Sequence, residues 1–240
     1  MNVTRPEVYT IAPVRAPGVF DLRMPVHALI FDLDGTLADS LTDIAEAMNS
    51  ALAQHSLPPH PVDAYRLMVG NGVTMLATRA IGPKASDPAL LLSVLDAHHA
   101  AYQAHAHAKT WPYPGIDAML ATLVERKVPM GVLSNKRDAL TAGLVAQRFG
   151  SVPFLAVRGE RDGVPRKPDP TAAFEMALAL NVLPANIGFV GDTSVDMKTA
   201  RAAGMKAIGV LWGFRGREEI EGAGAHHILS KPDELLALIG

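Results

Sequence analysis

Five short runs of apolar residues recur along the chain, and segments with helical spacing separate them. The runs cover residues 26–31, 128–133, 154–157, 187–190 and 206–211. None of them alternates between polar and apolar positions, which is typical of parallel strands covered by helices on both faces. The pattern therefore predicts an α/β fold with a doubly wound parallel sheet.

The connection between the first two predicted strands is much longer than a single crossover helix requires. Ile44 and Met48 belong to one apolar stripe at helical spacing within it, and a second stripe follows after proline-rich and glycine-rich breaks. We therefore predict a small all-helical domain at residues 39–110, inserted after the first strand. Residues 26–38 and 111–240 then form the α/β core.

The first 25 residues differ from the rest of the chain. Residues 1–25 contain four prolines and show no helical periodicity, so we expect an N-terminal extension in front of the core. Arg5 and Arg15 interrupt the segment, which therefore does not resemble a secretory signal. Met24 directly precedes the first strand, and we hypothesise that translation can begin there.

Composition excludes several classes of protein. The chain has 22 Lys and Arg against 24 Asp and Glu, and this net charge of −2 argues against binding to nucleic acid or an anionic membrane. Cysteine is absent, which excludes disulfides and thiolate metal sites and fits a cytoplasmic protein. No apolar run reaches the roughly 18 residues of a membrane span. Monomer and homodimer both remain open.

Pairs of carboxylates follow two of the predicted strands. Asp32 and Asp34 come directly after the first, and Asp192 and Asp196 follow the fourth. If these strands are neighbours, three close carboxylate pairs would cost about 12 kcal/mol, at about 4 kcal/mol each for an effective dielectric constant near 20. A helix cap or a turn explains any one of these residues, but the combined pattern favours a divalent cation. Oxygen ligands without cysteine indicate Mg²⁺.

Two other segments are expected at the same edge of the sheet. Ser134 and Asn135 follow the second strand and offer a hydroxyl and backbone N–H groups near a helix start, which suits an anion. Lys167 precedes a proline that stiffens its backbone, so its side chain is expected to be directed toward the site. Solvated surface charge is the alternative for Lys167.

These elements, in this order, resemble the haloacid dehalogenase superfamily of hydrolases. Its four motifs are matched by Asp32 with Asp34, by Ser134, by Lys167, and by Asp192 with Asp196. The resemblance covers about residues 26–240 and implies a Rossmann-like core with strand order 5-4-1-2-3, in which strands one and four are neighbours. A helical insert after the first motif is similar to one cap type of that superfamily.

The resemblance also implies a mechanism of phosphate ester hydrolysis. Asp32 would be the nucleophile that forms an aspartyl phosphate, Asp34 the general acid and base, and Lys167 the cation that offsets negative charge. Mg²⁺ would be held by Asp32, the backbone carbonyl of Asp34 and Asp192, while Asp196 steadies a metal-bound water or Lys167. The phosphate-binding residues implied are Gly35, Thr36, Ser134, Asn135 and Lys167.

The insert is similar to the cap of phosphoglycolate phosphatases, which implies 2-phosphoglycolate as substrate. Gly70, Asn71 and Gly72 are candidates for contacting the leaving group, and Arg79 for pairing with a carboxylate. The alternative for Gly70 and Gly72 is a helix–helix turn, and the alternative for Arg79 is a position on the surface without contact to substrate. Sugar phosphates and pyrophosphate remain open as substrates, as do a dehalogenase and a catalytically silent phosphate-binding module.

Histidines cluster near the end of the predicted insert, and a metal site is one explanation for them. They are His98, His99, His105 and His107. Because His105 and His107 are two positions apart on a predicted helix, their side chains would diverge. We therefore expect a solvated helix face.

Overall fold

The computed structural model describes residues 25–104 and 107–240. Within these residues one sheet has six parallel strands, and a second sheet has two short antiparallel strands. The strands are β1 (Ala28–Phe31), β2 (Ala38–Asp39), β3 (Trp111–Pro112), β4 (Met130–Arg137), β5 (Ala156–Glu160), β6 (Ile187–Gly191), β7 (Lys206–Val210) and β8 (His227–Leu229). The order in the main sheet is β5-β4-β1-β6-β7-β8. This confirms the predicted fold class and the pairing of the first and fourth predicted strands.

Eight α-helices connect these strands in the described part of the chain. They are α1 (Leu41–Gln54), α2 (Val73–Ile81), α3 (Pro88–Ala104), α4 (Ile116–Glu125), α5 (Asp138–Phe149), α6 (Thr171–Leu180), α7 (Ser194–Ala202) and α8 (Arg217–Gly222). Short 3₁₀ helices cover Val62–Leu67, Gly82–Ser86, Pro184–Asn186 and Pro232–Leu238.

Strand β1 is buried on both faces, which explains its uninterrupted apolar sequence. Leu29 and Phe31 belong to an apolar cluster with α4 and α5 on one face of the sheet. Ala28 and Ile30 belong to a second cluster with α6 and α7 on the other face. Alternate residues of a strand point to opposite faces, so helix layers on both sides require apolar residues at every position.

The predicted strand boundaries were wrong at several ends. The second predicted strand, 128–133, begins later because the Val128 amide donates to the Leu123 carbonyl and closes α4. It then continues to Arg137 through polar residues. The third, predicted at 154–157, runs instead through Glu160 at the sheet edge, where polar side chains are tolerated. The sequence analysis missed β8, a three-residue edge strand that begins with a histidine.

The chain between β2 and β3 is largely helical and contains α1, α2 and α3. These helices share an apolar cluster separate from those of the main sheet, which Phe214 and Leu140 contact from the core. Pairing of Ala38 with Pro112 and of Asp39 with Trp111 brings the two ends of the segment together. The division into an insert at 39–110 and a core stays a prediction, which the separate cluster supports. We call residues 39–110 the helical insert.

Some sequence predictions are not tested by the fold. The N-terminal extension, with Met24, lies outside the described residues except for Pro25. None of the described helices is both long and apolar enough to cross a bilayer. Cytoplasmic location and oligomeric state stay predictions.

Close packing between β5 and the β4–α5 junction leads to a test of this architecture. A Cβ atom at Gly159 would lie 2.5 Å from the Lys136 carbonyl oxygen and from Asp138 Cα, which are backbone atoms. We expect Gly159→Ala to lower the free energy of unfolding by about 1–3 kcal/mol, as measured by urea denaturation. Gly143→Ala on the exposed face of α5 is the control, since a Cβ there meets nothing within 4 Å. We expect this control to stabilise the protein by about 0.5–1 kcal/mol. Equal effects of the two substitutions would contradict the packing.

Candidate active site

Three carboxylates from the carboxyl ends of β1 and β6 meet in the interior. Asp32 follows β1, Asp192 follows β6, and Asp196 lies in the first turn of α7. One oxygen from each lies within 4.8 Å of the others, and all three residues are buried. Since β1 and β6 are adjacent, their ends deliver these side chains to one place. These oxygens could hold a hard divalent cation.

Lys167 is the cation that contacts this group of carboxylates. Its Nζ lies 2.9 Å from Asp32 Oδ1 and 2.7 Å from Asp196 Oδ1, and it donates to the Leu133 carbonyl. Asn135 fixes the Lys167 backbone, accepting from its amide at 3.0 Å and donating to its carbonyl at 2.9 Å. The Lys167 side chain is therefore held in place and is not a solvated surface charge.

The three clustered carboxylates carry more negative charge than Lys167 offsets. Burial raises the pKa of Asp32 to about 7, with repulsion from Asp196 and Asp34 adding to the shift and Lys167 opposing it. Burial and the same kind of repulsion raise the pKa of Asp192 well above its usual value. Burial alone would lower the pKa of Lys167, but Asp196 and Asp32 raise it above the usual range. Three clustered carboxylates facing one bound ammonium group leave negative charge that a divalent cation would offset.

Asp192 is held by groups from two different loops. The Thr36 hydroxyl donates to its Oδ1 at 3.2 Å, and the Phe214 amide donates to its Oδ2 at 2.7 Å. Gly35 has a φ of +89°, and a Cβ atom there would overlap the Asp192 carboxylate. The glycine thus allows the backbone after β1 to approach β6 closely. Thr36, a predicted phosphate ligand, bonds Asp192 in this structure.

Asp34 has a different environment from Asp32. Its carboxylate accepts hydrogen bonds from Lys136 Nζ at 2.9 and 3.1 Å and from the Ser40 hydroxyl at 2.6 Å. These contacts fix the orientation of the side chain. The sequence analysis missed Lys136, although its position two residues after Ser134 was a usable signal.

A cavity of about 350 Å³ lies between the core and the helical insert. On the core side it is lined by predicted nucleophile, acid/base and phosphate-binding residues, which are Asp32, Asp34, Ser134 and Asn135. On the other side it is lined by residues of the insert, including Gly70, Gly72, His98 and Tyr102. The predicted chemical groups therefore share one cavity with the insert.

The four residues predicted to contact the leaving group have different surroundings. Gly70 and Gly72 line the cavity, and the Gly70 carbonyl accepts from Asn135 Nδ2 at 3.0 Å. Arg79 donates to the Met68 carbonyl at 2.7 Å and to Asn71 Oδ1 at 2.8 Å, so its guanidinium stabilises the turn before α2. Roles for all four in substrate binding stay predictions.

The prediction that the clustered histidines form a solvated helix face was wrong for His98 and His107. His98 and His107 are buried, at 7% and 5% exposure, while His99 is exposed. The ring of His98 stacks on Tyr102, and that of Tyr102 meets His107 edge to face. This side of α3 therefore faces the protein interior. His105 lies outside the described residues.

The family model described as haloacid dehalogenase-like hydrolase matches residues 29–210, which is most of the chain.

The chain belongs to the haloacid dehalogenase-like hydrolase family. It is 33% identical over 193 residues to a phosphoglycolate phosphatase of Neisseria meningitidis, covering 79% of this chain and 82% of that one. It is 34% identical over 226 residues to a phosphoglycolate phosphatase of Pseudomonas fluorescens, covering 92% and 81%. A crystal structure from Lactobacillus delbrueckii, provisionally described as a phosphoglycolate phosphatase, superposes with a TM-score of 0.86 at 30% identity and covers 90% and 100%. This haloacid dehalogenase-like hydrolase is a phosphatase.

The burial of His98 gives this hydrolase a testable pH dependence. Burial, together with the charges of Lys136 and His99, lowers the pKa of His98 to about 4. An unfolded histidine titrates near 6.5, so between these values the unfolded state binds more protons. The stability that depends on neutral His98 is complete above pH about 6.5 and is lost as the pH falls toward 4.

We expect His98→Gln to reduce the loss of unfolding free energy between pH 7 and pH 5 by about 2 kcal/mol relative to the original protein. Urea denaturation at several pH values measures this difference. His99→Gln, at the exposed neighbouring position, should leave the pH dependence almost unchanged. Identical slopes for the His98 variant and the original protein would show that the imidazole is not buried in its neutral form.

Proposed function

We propose that this phosphatase is a Mg²⁺-dependent phosphomonoester hydrolase that acts through an aspartyl phosphate on Asp32, with 2-phosphoglycolate as its substrate. The observation that supports it is the placement of two carboxylates with different partners on one cavity. Asp32, which forms an acidic cluster with Asp192 and Asp196, pairs with Lys167, and Asp34 pairs with Lys136. In this proposal one carboxylate would act as the nucleophile and the other would transfer the proton.

The proposed reaction has two steps. An Asp32 oxygen attacks phosphorus, the ester P–O bond breaks, and Asp34, which enters this step in its protonated form, donates its proton to the departing oxygen. A water molecule then attacks the phosphorus of the aspartyl phosphate and gives a proton to Asp34, and the bond between phosphorus and Asp32 breaks. Asp34 returns to its starting state, and inorganic phosphate is released.

Residues at the ends of β1 and β4 would position the phosphate. The Ser134 hydroxyl and the Asn135 backbone lie on the same cavity as Asp32 and would receive phosphoryl oxygens. Gly35 and Thr36 follow Asp32 and would complete the phosphate site. Lys167 would neutralise charge between the phosphoryl group and Asp32, because its ammonium already contacts the carboxylate.

The acidic cluster fits Mg²⁺ because its donors are carboxylate oxygens and its negative charge exceeds that of Lys167. Asp32, the backbone carbonyl of Asp34 and Asp192 would hold the ion, which when bound supplies charge stabilisation to the phosphoryl oxygens. Asp196 would orient Lys167. Its Oδ2 accepts from the Thr193 amide and hydroxyl in a capping box, which leaves Oδ1 for Lys167.

Two observations support 2-phosphoglycolate among phosphate esters. The relatives at 33–34% identity are phosphoglycolate phosphatases, and the alignments extend through most of the chain, including the helical insert. The cavity volume of about 350 Å³ lies at the low end of the range of about 300–1,000 Å³ for ligand sites, which favours a small substrate.

A panel of small phosphate esters tests the substrate. With Mg²⁺ present, we expect kcat/KM for 2-phosphoglycolate to exceed that for sugar phosphates and for pyrophosphate by about tenfold or more, which corresponds to about 1.4 kcal/mol of selective binding. Release of inorganic phosphate measures all three reactions. Asp32→Asn, purified identically, defines the background of contaminating phosphatases. A sugar phosphate or pyrophosphate ranked first would reject the substrate but not the phosphatase chemistry.

Removal of metal tests the cofactor. We expect EDTA to abolish hydrolysis, Mg²⁺ to restore it, and Asp192→Asn to raise the Mg²⁺ concentration for half-maximal activity by about tenfold or more. Asp117→Asn, on the exposed side of α4, should require the same Mg²⁺ concentration as the original protein. Full hydrolysis of the phosphate ester after chelation would reject the metal requirement but not the phosphatase chemistry.

A further inference from the structure

The cavity between core and helical insert contains polar groups that the proposed chemistry does not use. Most of its lining on the insert side is apolar, with Ile44, Leu76 and Leu95 among the residues involved. His98 and Tyr102, which are one turn apart on α3, interrupt this apolar surface. Both are more than nine-tenths buried, at 7% and 3% exposure.

Both side chains have hydrogen-bonding capacity that no protein group fills. His98 Nε2 has no partner among the described residues, and the Tyr102 hydroxyl, whose oxygen interacts with Lys136, has no acceptor for its proton. Lys136, whose charge acts on Tyr102, has no lone pair and cannot accept the hydroxyl proton. Each buried polar group left without a partner destabilises a protein, so such groups in a native cavity call for an explanation.

These atoms lie next to the place where the leaving group must be. Asp34 would protonate the leaving oxygen, and Lys136 Nζ is 2.9 Å from Asp34 Oδ1. The same Nζ lies 4.8 Å from the centre of the Tyr102 ring, and that ring stacks on His98 with centres 5.9 Å apart. Lys136 thus connects the proposed acid/base to Tyr102 and, through its ring, to His98 on α3.

The charge of this region suits an anionic or strongly polar leaving group. Lys136 is a cation with three N–H donors, and Tyr102 adds a neutral donor. Because burial lowers the pKa of His98 to about 4, its imidazole is neutral and offers one hydrogen bond through Nε2. Lys136, Tyr102 and His98 thus offer one cation and two neutral hydrogen-bonding groups to a single carboxylate, in a cavity that Asp96 and Arg137 also line.

We propose that His98 and Tyr102, together with Lys136, form the leaving-group subsite and bind the carboxylate of a short hydroxy acid released from its phosphate ester. This inference rests on the proposed function. It assigns selectivity to α3, whereas the sequence analysis expected it at Gly70, Asn71, Gly72 and Arg79. His98 and Tyr102 act as specificity-determining residues and take no part in bond making or breaking.

The test compares two esters that differ only in the carboxylate. In ethyl phosphate a methyl group replaces the carboxylate of 2-phosphoglycolate. We expect Tyr102→Phe and His98→Leu each to lower kcat/KM for 2-phosphoglycolate by about ten- to a hundredfold. Hydrolysis of ethyl phosphate should change less than threefold, which also shows that the variants are folded and that the chemical site is intact.

Tyr65→Phe is the matched control. Tyr65 is buried in the same insert, but its hydroxyl donates to Asn49 Oδ1, and it is not among the residues that line the cavity. Removing this hydroxyl should leave the ratio of the two kcat/KM values unchanged. An equal loss for both esters in the α3 variants, or no loss for either, would overturn the subsite.

The outcome also separates this inference from the substrate assignment. If the original protein prefers 2-phosphoglycolate but the α3 variants keep that preference, the substrate stands and the subsite is rejected. If the original protein shows no preference, 2-phosphoglycolate is rejected as substrate. 3-Phosphoglycerate, which has a carboxylate, against glycerol 3-phosphate, which lacks it, then decides: a ratio that falls in both α3 variants supports carboxylate recognition, and an unchanged ratio rejects it.

Discussion

Buried negative charge at the ends of β1 and β6 is the constraint on which this site depends. Removing a carboxylate from water costs several kcal/mol unless an opposite charge and hydrogen bonds replace the lost hydration. Lys167 provides charge to Asp32 and Asp196, while Thr193 provides two donors to Asp196. Sheet pairing and the α7 capping box together hold side chains that would repel one another in a looser arrangement.

Much of the core could be predicted from the sequence because strands buried on both faces have a distinctive pattern. Asp32 and Asp192 directly follow such strands, so the topology places them together once β1 and β6 are neighbours. Strand β8 could not be found in this way. Its three residues begin with the half-buried His227, and pairing with β7 defines the strand more than any apolar pattern does.

The wall of the cavity formed by the helical insert was much harder to predict. A histidine on a helix has no local feature that separates a buried position from a solvated one, because the burial of His98 is set by tertiary packing. Lys136 is only partly different: its position two residues after Ser134 indicates that it lies near the site, but only the tertiary position of Asp34 makes it a partner in an ion pair. Contacts between distant segments decide these cases, and hydrophobic periodicity does not report them.

The two sides of the cavity differ in how their polar groups are satisfied. On the core side, Asp34, Asn135 and Lys167 have partners within the protein, so the chemical groups are fixed before substrate arrives. On the insert side, His98 Nε2 and the Tyr102 hydroxyl proton have no partner among the described residues. Preorganised groups favour the transition state, since no reorganisation is needed during reaction. Groups without a partner favour discrimination between substrates, because a ligand that lacks a matching oxygen leaves them unpaired and forgoes the free energy of those hydrogen bonds. In the proposed function, the chemistry therefore belongs to the fixed side and substrate discrimination to the unsatisfied side.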